Sequence, residues 1–271
     1  MFTGRMPGGR KRVAALAVLA VALVFGAALA NAELVERGNL FVKFQGGISP
    51  TKLPRHANAP ISVRVDGTVR VLSGDRPPAL RFISIAINRG GRIETKGLPV
   101  CRRSEIEAGT SAAAMAACGD ALVGTGRYAA GVDFPEQTTF PLQGRLLAFN
   151  TVVDGERAIL AHVYGKDPFP NSRVFVFHIR KTSGTYGTLL TAALPKSLNR
   201  NGYLKRIILD LRRDYVYKGH KRSYLSAACG APKGLTVGVF PFVKVGMTFA
   251  DGRKLASTLI RTCTVRDSSG T

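Results

Sequence analysis

The stretch LLAFNTVVDGERAILAHV, residues 146–163, indicates the class of the fold. It places Asp154 and Gly155 between two apolar runs. Asp-Gly in this setting is the strongest short-range signal for a β-hairpin, because both central residues of the tight turn need positive φ. The stretch therefore predicts two antiparallel strands joined at Asp154-Gly155.

The same signal occurs at two more places, and alternating apolar residues occupy much of the remaining chain. Asp66-Gly67 and Asp251-Gly252 are also flanked by apolar runs, and period-two patterns occur in residues 83–87, 175–179 and 207–211. Helical composition is confined to one short helix near 104–117, which Gly109 weakens. We therefore predict an all-β protein, an antiparallel β-sandwich or two, with one short helix.

The chain has room for one large or two ordinary β domains. The Pro- and Gly-bearing stretch 131–144 is the best candidate boundary, which gives an N-terminal β domain of residues 33–135 and a C-terminal basic β domain of residues 140–271. A sequence echo between residues 80–89 and 204–213, and Ala-Ala-Cys-Gly at 116–119 and again at 227–230, favour two related halves.

Residues 1–32 have the organisation of a secretion signal. A basic start is followed by the apolar run 13–30 and by the small-residue triplet Ala30-Asn31-Ala32. We expect cleavage near Ala32 and a secreted or extracytoplasmic mature protein. The alternative is an uncleaved membrane anchor formed by residues 13–30, because 18 apolar residues are near the lower limit for spanning a bilayer.

The four cysteines are Cys101, Cys118, Cys229 and Cys263, an even number in a chain predicted to be exported. In an oxidising compartment this count predicts two disulfides. Of the three connectivities we prefer the local pairs, Cys101–Cys118 and Cys229–Cys263. A zinc site is the alternative, but the chain has no Cys-x-x-Cys pair and no histidine cluster beside the cysteines.

Positive charge is concentrated towards the C-terminus. The whole chain has 39 Lys and Arg against 17 Asp and Glu, and residues 173–271 hold 18 of the bases but only four of the acids. The positive electrostatic potential of such a segment attracts anionic partners. Because the chain is predicted to be exported, we expect anionic envelope polymers, phospholipid head groups or extracellular DNA as partners, and no intracellular nucleic acid. The alternative is that the charge only keeps the protein soluble.

The segment from Tyr203 to Tyr224 alternates tyrosines with cations and is the best candidate for an anion-binding surface. Alternate residues of a strand share a face, so Ile207, Leu209 and Leu211 would face the core while cations face solvent. The bland alternative is an ordinary solvated face. The predicted anion-binding residues are Lys205, Arg206, Arg212, Arg213, Lys218, Lys221 and Arg222.

Catalytic motifs are largely missing from the sequence. It contains no Gly-x-Ser-x-Gly, His-Glu-x-x-His or phosphate-loop motif, and Ser49-Pro50-Thr51-Lys52 lacks the elements that accompany Ser-x-x-Lys in penicillin-binding enzymes. His162 and His178 are potential bases, although packed structural histidines are the simpler interpretation. We predict no cofactor, no metal and no catalytic residue.

Part of the chain resembles uncharacterised secreted proteins of high-GC Gram-positive bacteria. The resemblance rests on Gly97-Leu98-Pro99-Val100-Cys101, on residues 118–126 and on residues 223–229 with Pro232 following. The chain departs from the commoner form at Gly119, where proline usually follows the second cysteine. The resemblance implies a secreted, β-rich, disulfide-containing scaffold, and it implies no activity.

Two functions agree with these observations. The first is a non-enzymatic scaffold or binding module of the cell envelope, with a basic C-terminal face that contacts anionic polymer or lipid. The second is a secreted hydrolase acting on an envelope or extracellular polymer, with a site assembled around His162 or His178 and nearby carboxylates.

Overall fold

The structure is a computed structural model that describes residues 33–133, 136–167, 169–195 and 202–266. The predicted signal peptide and its alternative, the anchor at 13–30, lie outside these residues. No helix in the described ranges is long and apolar enough to cross a membrane.

The described chain forms eighteen β-strands, two short α-helices and one turn of 3₁₀-helix. The helices are α1 (Arg103–Ile106) and α2 (Ser111–Cys118), followed by the 3₁₀ turn Gly119–Ala121. The strands are β1 (Glu33–Arg37), β2 (Leu40–Ser49), β3 (Lys52–Leu53), β4 (Ala59–Pro60), β5 (Ser62–Val71), β6 (Leu80–Asn88), β7 (Gly91–Ile93), β8 (Leu122–Val132), β9 (Phe140–Val153), β10 (Glu156–Gly165), β11 (Asn171–Lys181), β12 (Tyr186–Ala193), β13 (Gly202–Leu211), β14 (Asp214–Tyr217), β15 (His220–Ser223), β16 (Leu225–Ala227), β17 (Val237–Phe249) and β18 (Lys254–Val265).

Thirteen strands form one sheet, in the order β1-β2-β5-β13-β8-β9-β10-β11-β12-β6-β17-β18-β3. Neighbours are antiparallel except β3 and β18, which are parallel. The sheet curls so that β1, at one end, contacts β18, next to the strand at the other end; Ser257 Oγ of β18 donates to Glu33 Oε2 of β1 at 2.9 Å. The predicted all-β class is confirmed, and the layers expected of a sandwich are parts of this single curled sheet.

The two segments predicted as separate domains contribute neighbouring strands to this sheet. β13 lies between β5 and β8, and β6 lies between β12 and β17. The predicted boundary region connects two antiparallel neighbours, β8 and β9. Residues 33–135 and 140–271 therefore do not form separate sheets, and 32–271 cluster as one compact unit.

Apolar residues on the inner side of the curled sheet form the core. Two buried clusters are continuous through Ile48, Val63, Ile85 and Phe240, which pack against both. The alternating segment 207–211 was predicted to turn its apolar side chains towards the core. This is confirmed, because Leu209 and Leu211 pack against the first cluster. The small sheet β4-β16-β7 contributes Ala59, Leu225 and Ala227 to the same cluster, next to the fully buried Tyr224.

Two of the three Asp-Gly turns are confirmed. Asp154-Gly155 joins β9 to β10 with φ of 51° and 77°, and Asp251-Gly252 lies between β17 and β18. Asp66-Gly67 is not a turn but the middle of β5, paired on one side with β2 and on the other with β13. The turn prediction fails there because partners distant in sequence hold the strand extended.

The single helix predicted at 104–117 is two helices separated by residues 107–110. The second helix begins at a capping residue, since the Thr110 hydroxyl accepts a hydrogen bond from the Ala113 N–H at 3.1 Å. Both helices pack on the outer side of β9, β10 and β11, where Ile106 and Ala114 cover Leu147, Phe149 and related apolar residues. We call residues 101–121 the helical layer.

Both preferred disulfides are present. Cys101 is bonded to Cys118 across the helical layer, and Cys229 is bonded to Cys263 of β18. The first closes the helical layer on itself, and the second ties the loop after β16 to the sheet. Disulfides of this kind are typical of oxidising, extracytoplasmic compartments.

Candidate anion-binding face

The helical layer covers only part of the outer side of the sheet, and the neighbouring strands β2, β5, β13 and β8 with the first half of β9 remain open. Alternation decides which side chains point there: Leu209 and Leu211 face the core, so Arg206 and Asp210 face outward. We call this outward surface the cationic face. It is defined by seven cations, Lys43, Arg64, Arg70, Arg127, Arg145, Lys205 and Arg206, and two carboxylates, Asp66 and Asp210.

Two ion pairs cross the boundary between β5 and β13. Arg206 Nη2 lies 2.6 Å from Asp66 Oδ2 and its Nε donates to Oδ1 at 3.0 Å, while Arg64 Nη1 contacts both oxygens of Asp210 at 2.8 and 3.0 Å. The hydrogen bonds from Arg206 hold the pKa of Asp66 below its ordinary value, with Arg64 and Lys43 adding to the effect. Asp66 therefore stays ionised and fixes the guanidinium of Arg206 on this face.

Aromatic rings hold further cations of the face. The Arg70 guanidinium lies 5.7 Å from the centroid of Phe41, and the Lys205 ammonium lies 5.3 Å from the centroid of Tyr203. Arg76 also approaches Tyr203, at 5.6 Å. Ring contacts of this kind orient a cation without neutralising it, so the charge stays available to solvent.

Two shallow depressions lie on this face and share Gln45 and Asp66. One, of about 380 Å³, runs along the β2–β5 boundary towards Arg64, and the other, of about 310 Å³, extends to Lys43, Arg70 and Arg206. Together they form a groove with cations at both ends. Its openness and charge are better suited to part of a large anion than to enclosing a small molecule.

The structure brings only two of the seven predicted anion-binding residues to the cationic face, namely Lys205 and Arg206. Lys205 is the extra residue of a bulge between Leu204 and Arg206, which leaves it exposed. Arg206, predicted to bind anions, is paired with Asp66 of the N-terminal segment.

Arg212 and Arg213 lie at the junction of β13 and β14. Arg212 is exposed and lies 3.3 Å from Asp214. Arg213 is half-buried and donates from Nη2 to the Asp120 carbonyl at 3.2 Å, so it attaches this junction to the end of the helical layer. Arg213 thus has a structural contact in place of the predicted solvent exposure.

Lys218, Lys221 and Arg222 belong to a β-hairpin that follows β13. Strands β14 and β15 pair antiparallel around Lys218-Gly219, whose φ values are 51° and 76°. Tyr217 packs over Gly97, Arg222 lies 5.7 Å from the Tyr217 ring and 3.8 Å from Glu94, and Lys218 lies 5.8 Å from the same ring. Lys218 at the tip and Lys221 on β15 are exposed, so the hairpin combines anchoring contacts with exposed charge.

Five cations of the face were not predicted, because residues 33–172 hold 17 bases and 13 acids and have little net charge. They are Lys43, Arg64, Arg70, Arg127 and Arg145. Each is an exposed member of an alternating strand, which is the one signal that would have drawn attention to it. What sequence could not supply is the order of the strands, which places these residues beside β13.

His162 is completely buried beneath the junction of the two helices. Its Nε2 lies 3.0 Å from the Gly109 carbonyl and 3.1 Å from Ser172 Oγ, and the Ser172 hydroxyl donates to the Glu107 carbonyl at 3.0 Å. A carbonyl oxygen only accepts, so Nε2 carries the proton in this arrangement. His162 therefore cannot take the proton of Ser172 through Nε2, and the pair fastens residues 107–110 to the sheet.

Burial lowers the pKa of His162 below its ordinary value of 6.5, and the bond to Gly109 opposes this only in part. The unfolded chain binds a proton near pH 6.5 that the folded protein resists, so the contribution of neutral His162 to stability is complete above pH 6.5 and is lost as the pH falls below it. We expect the urea midpoint to fall between about pH 7 and about pH 5, and His162→Gln to flatten this dependence.

The matched control for this titration is His56→Gln, which removes an exposed histidine and should retain the acid-induced fall. The measurement is a series of urea unfolding curves at closely spaced pH values. An identical slope in His162→Gln and the unmodified protein would contradict the assignment.

The predicted alternative of a zinc site meets a chemical obstacle. Cys101, Glu105 and Cys118 lie within metal-ligand distances in the described ranges, yet both sulfurs belong to the disulfide and supply no thiolate. Glu105 instead accepts a hydrogen bond from the Arg102 N–H at 2.8 Å, which caps α1.

Comparison of the chain with protein-family models, with curated proteins and with solved structures gives no match in any of the three.

Proposed function

We propose that this protein is an exported, non-enzymatic binding module of the cell envelope, and that its cationic face binds anionic polymers or lipid head groups. The observation that supports this most is the face itself, which carries seven cations against two carboxylates and includes an open groove that four of the cations line. Surfaces of this kind attract polyanions through summed potential and bind them through guanidinium and ammonium contacts.

Two further observations support export and a binding role. The disulfides agree with an oxidising compartment, and the signal-like residues 1–32 give a route to it. The hydrolase alternative required a polar cleft around His162 or His178, whereas His162 is completely buried with Nε2 directed at a carbonyl. The geometry around His162 therefore favours the binding module, and the half-buried His178 of β11 has no carboxylate bonded to its buried Nδ1.

The test is retention of the purified exported protein on washed cell envelopes. We expect retention at about 50 mM salt and release at about 500 mM, because the Debye length shortens over this range. The variant Lys43→Gln with Arg70→Gln should be released at lower salt than the unmodified protein. The control, Arg180→Gln with Lys244→Gln, removes two exposed cations outside the face.

Recovery in the soluble fraction that is equal at low and high salt would overturn the proposal. Equal release of the two double variants would also contradict it, because net charge alone would then account for retention.

A further inference from the structure

We propose that Arg127 and Arg145 form a fork that binds a phosphate monoester group carried by a polymer. This rests on the proposed function and names the chemistry that one part of the cationic face selects.

The register of the sheet places the two arginines side by side. Arg127 of β8 is the direct cross-strand partner of Arg145 of β9, and both side chains are exposed on the outer side. Directly opposite residues of antiparallel strands have Cα atoms about 4.5 to 5.5 Å apart. Like charges at this spacing are unfavourable for the sheet unless an anion lies between them.

Neither guanidinium has a carboxylate partner in the described ranges. Arg64 and Arg206, which lie on the same face, are each paired with an aspartate, and each contact involves two hydrogen bonds. By contrast, no described Asp or Glu oxygen lies within 4.0 Å of Arg127 or Arg145. The two described carboxylates of the face, Asp66 and Asp210, are paired with the other two arginines. The face thus contains two neutralised arginines and, next to them, two with their donors free of carboxylates.

The neighbours of the fork in the same cross-strand row are apolar or aromatic. Ile208 is opposite Arg127 on β13, and Tyr164 is opposite Arg145 on β10; both are half-buried. These two side chains flank the exposed arginines on either side. Tyr164 also offers a ring against which a sugar or polyol can pack.

The backbone beneath the fork is held at close spacing. Gly126 and Gly144 precede Arg127 and Arg145, and at each a Cβ would overlap a carbonyl of the adjacent strand, that of Ile208 or of Tyr164. Each strand that bears an arginine is therefore held close to its outer neighbour, β8 to β13 and β9 to β10, before a ligand arrives. Such preorganisation reduces the entropic cost of binding.

The charge and shape of the fork select among anions. Two guanidiniums present a double positive charge and donors in two planes, whereas a carboxylate is planar, singly charged and satisfied by one arginine. A phosphate monoester has three terminal oxygens and a charge of about −1.5 to −2 at pH 7. A sulfate ester has the same shape with one charge, and is expected to bind with intermediate strength.

A polymer is favoured over a membrane as the carrier of this group. Surfaces that dock on bilayers place exposed apolar side chains beside their cations. The side chains beside this fork are half-buried. The strongly exposed apolar residues Val216 and Val239 lie on β14 and β17, and the one in the groove of the cationic face, Leu34, lies beside Lys43 on β1, four strands away from β8.

The test compares dextran phosphate, dextran sulfate and carboxymethyl dextran of matched substitution as ligands of the purified exported protein. We expect about tenfold tighter binding of dextran phosphate than of carboxymethyl dextran at pH 7.5, corresponding to about 1.4 kcal/mol. Lowering the pH through about 6 should weaken binding of dextran phosphate alone, since the second ionisation of the ester is lost.

Arg127→Gln with Arg145→Gln should abolish the preference for phosphate, and Arg127→Lys with Arg145→Lys should retain charge but reduce the preference. The control, Arg180→Gln with Arg89→Gln, removes two exposed cations away from the fork and should keep the preference. Thermal unfolding of each variant verifies the fold.

The outcomes separate this inference from the proposed function. If the fork variant weakens binding of all three polymers equally, the fork is overturned while the binding module stands. If no polymer is bound at low salt, both proposals fail. If vesicles containing phosphatidic acid are bound more tightly than dextran phosphate, the polymer is overturned as the carrier.

Discussion

Gly126→Ala is expected to lower the free energy of unfolding by about 3 kcal/mol or more. Gly126 lies in β8 where β13 approaches, and a Cβ added there would overlap the Ile208 carbonyl oxygen. That oxygen belongs to the backbone, so no rotamer change relieves the overlap. The two strands must separate, which breaks ladder hydrogen bonds and opens the core beneath them.

The control for this substitution is Gly230→Ala. A Cβ at Gly230 has nothing within 4 Å, and its φ is not in the left-handed region, so the change should alter stability by less than about 1 kcal/mol in either direction. The measurement is urea unfolding of both variants beside the unmodified protein. Equal midpoints for the two alanine variants would show that the close approach of β8 and β13 is not required for the fold.

Replacement of Cys101 and Cys118 by serine should cost about 3 kcal/mol, since the bridge closes a short loop in the unfolded chain. The two cysteines are 17 residues apart in sequence and both are buried. The two helices between them have four and eight residues, and are too short to persist without tertiary contacts. We therefore expect the helical layer to open first and to expose Phe149 and Leu160.

Two measurements test this prediction. Urea unfolding gives the loss of stability, and amide hydrogen exchange should show faster exchange in 103–121 than in β17 and β18. The control is the double serine variant of Cys229 and Cys263, whose bridge lies outside the helical layer; there residues 103–121 should stay protected. Unchanged exchange in 103–121 on loss of the Cys101–Cys118 bridge would contradict the assigned role.

The local part of the fold could be predicted from the sequence. Asp154-Gly155 and Asp251-Gly252 each join strands that pair with one another, so composition and alternation were sufficient. Asp66-Gly67 has the same composition, but β5 finds its partners in β2 and β13, and Asp66 is held by Arg206 from 140 residues away. The Asp-Gly dipeptide carries no information about strands distant in sequence that pair with the segment and hold it extended.

The site was harder to predict for the same reason. Lys205 and Arg206 were identified because they lie in a cation-rich segment, whereas Arg127 and Arg145 are separated by a loop and are brought together by register. The charge balance of each half also misled the prediction. Arg206 of the basic half is neutralised by Asp66 of the other, and free cations come from the half that is nearly neutral.

The insertion of β13 between β5 and β8 constrains the order in which the chain can fold. The edges of β5 and β8 that β13 will occupy are synthesised long before residues 202–211, and they present unpaired N–H and C=O groups until that strand arrives. Non-local pairing of this kind folds slowly and leaves edges open to association with other chains. A chain with this topology therefore benefits from remaining unfolded until its C-terminal strands are present and able to pair.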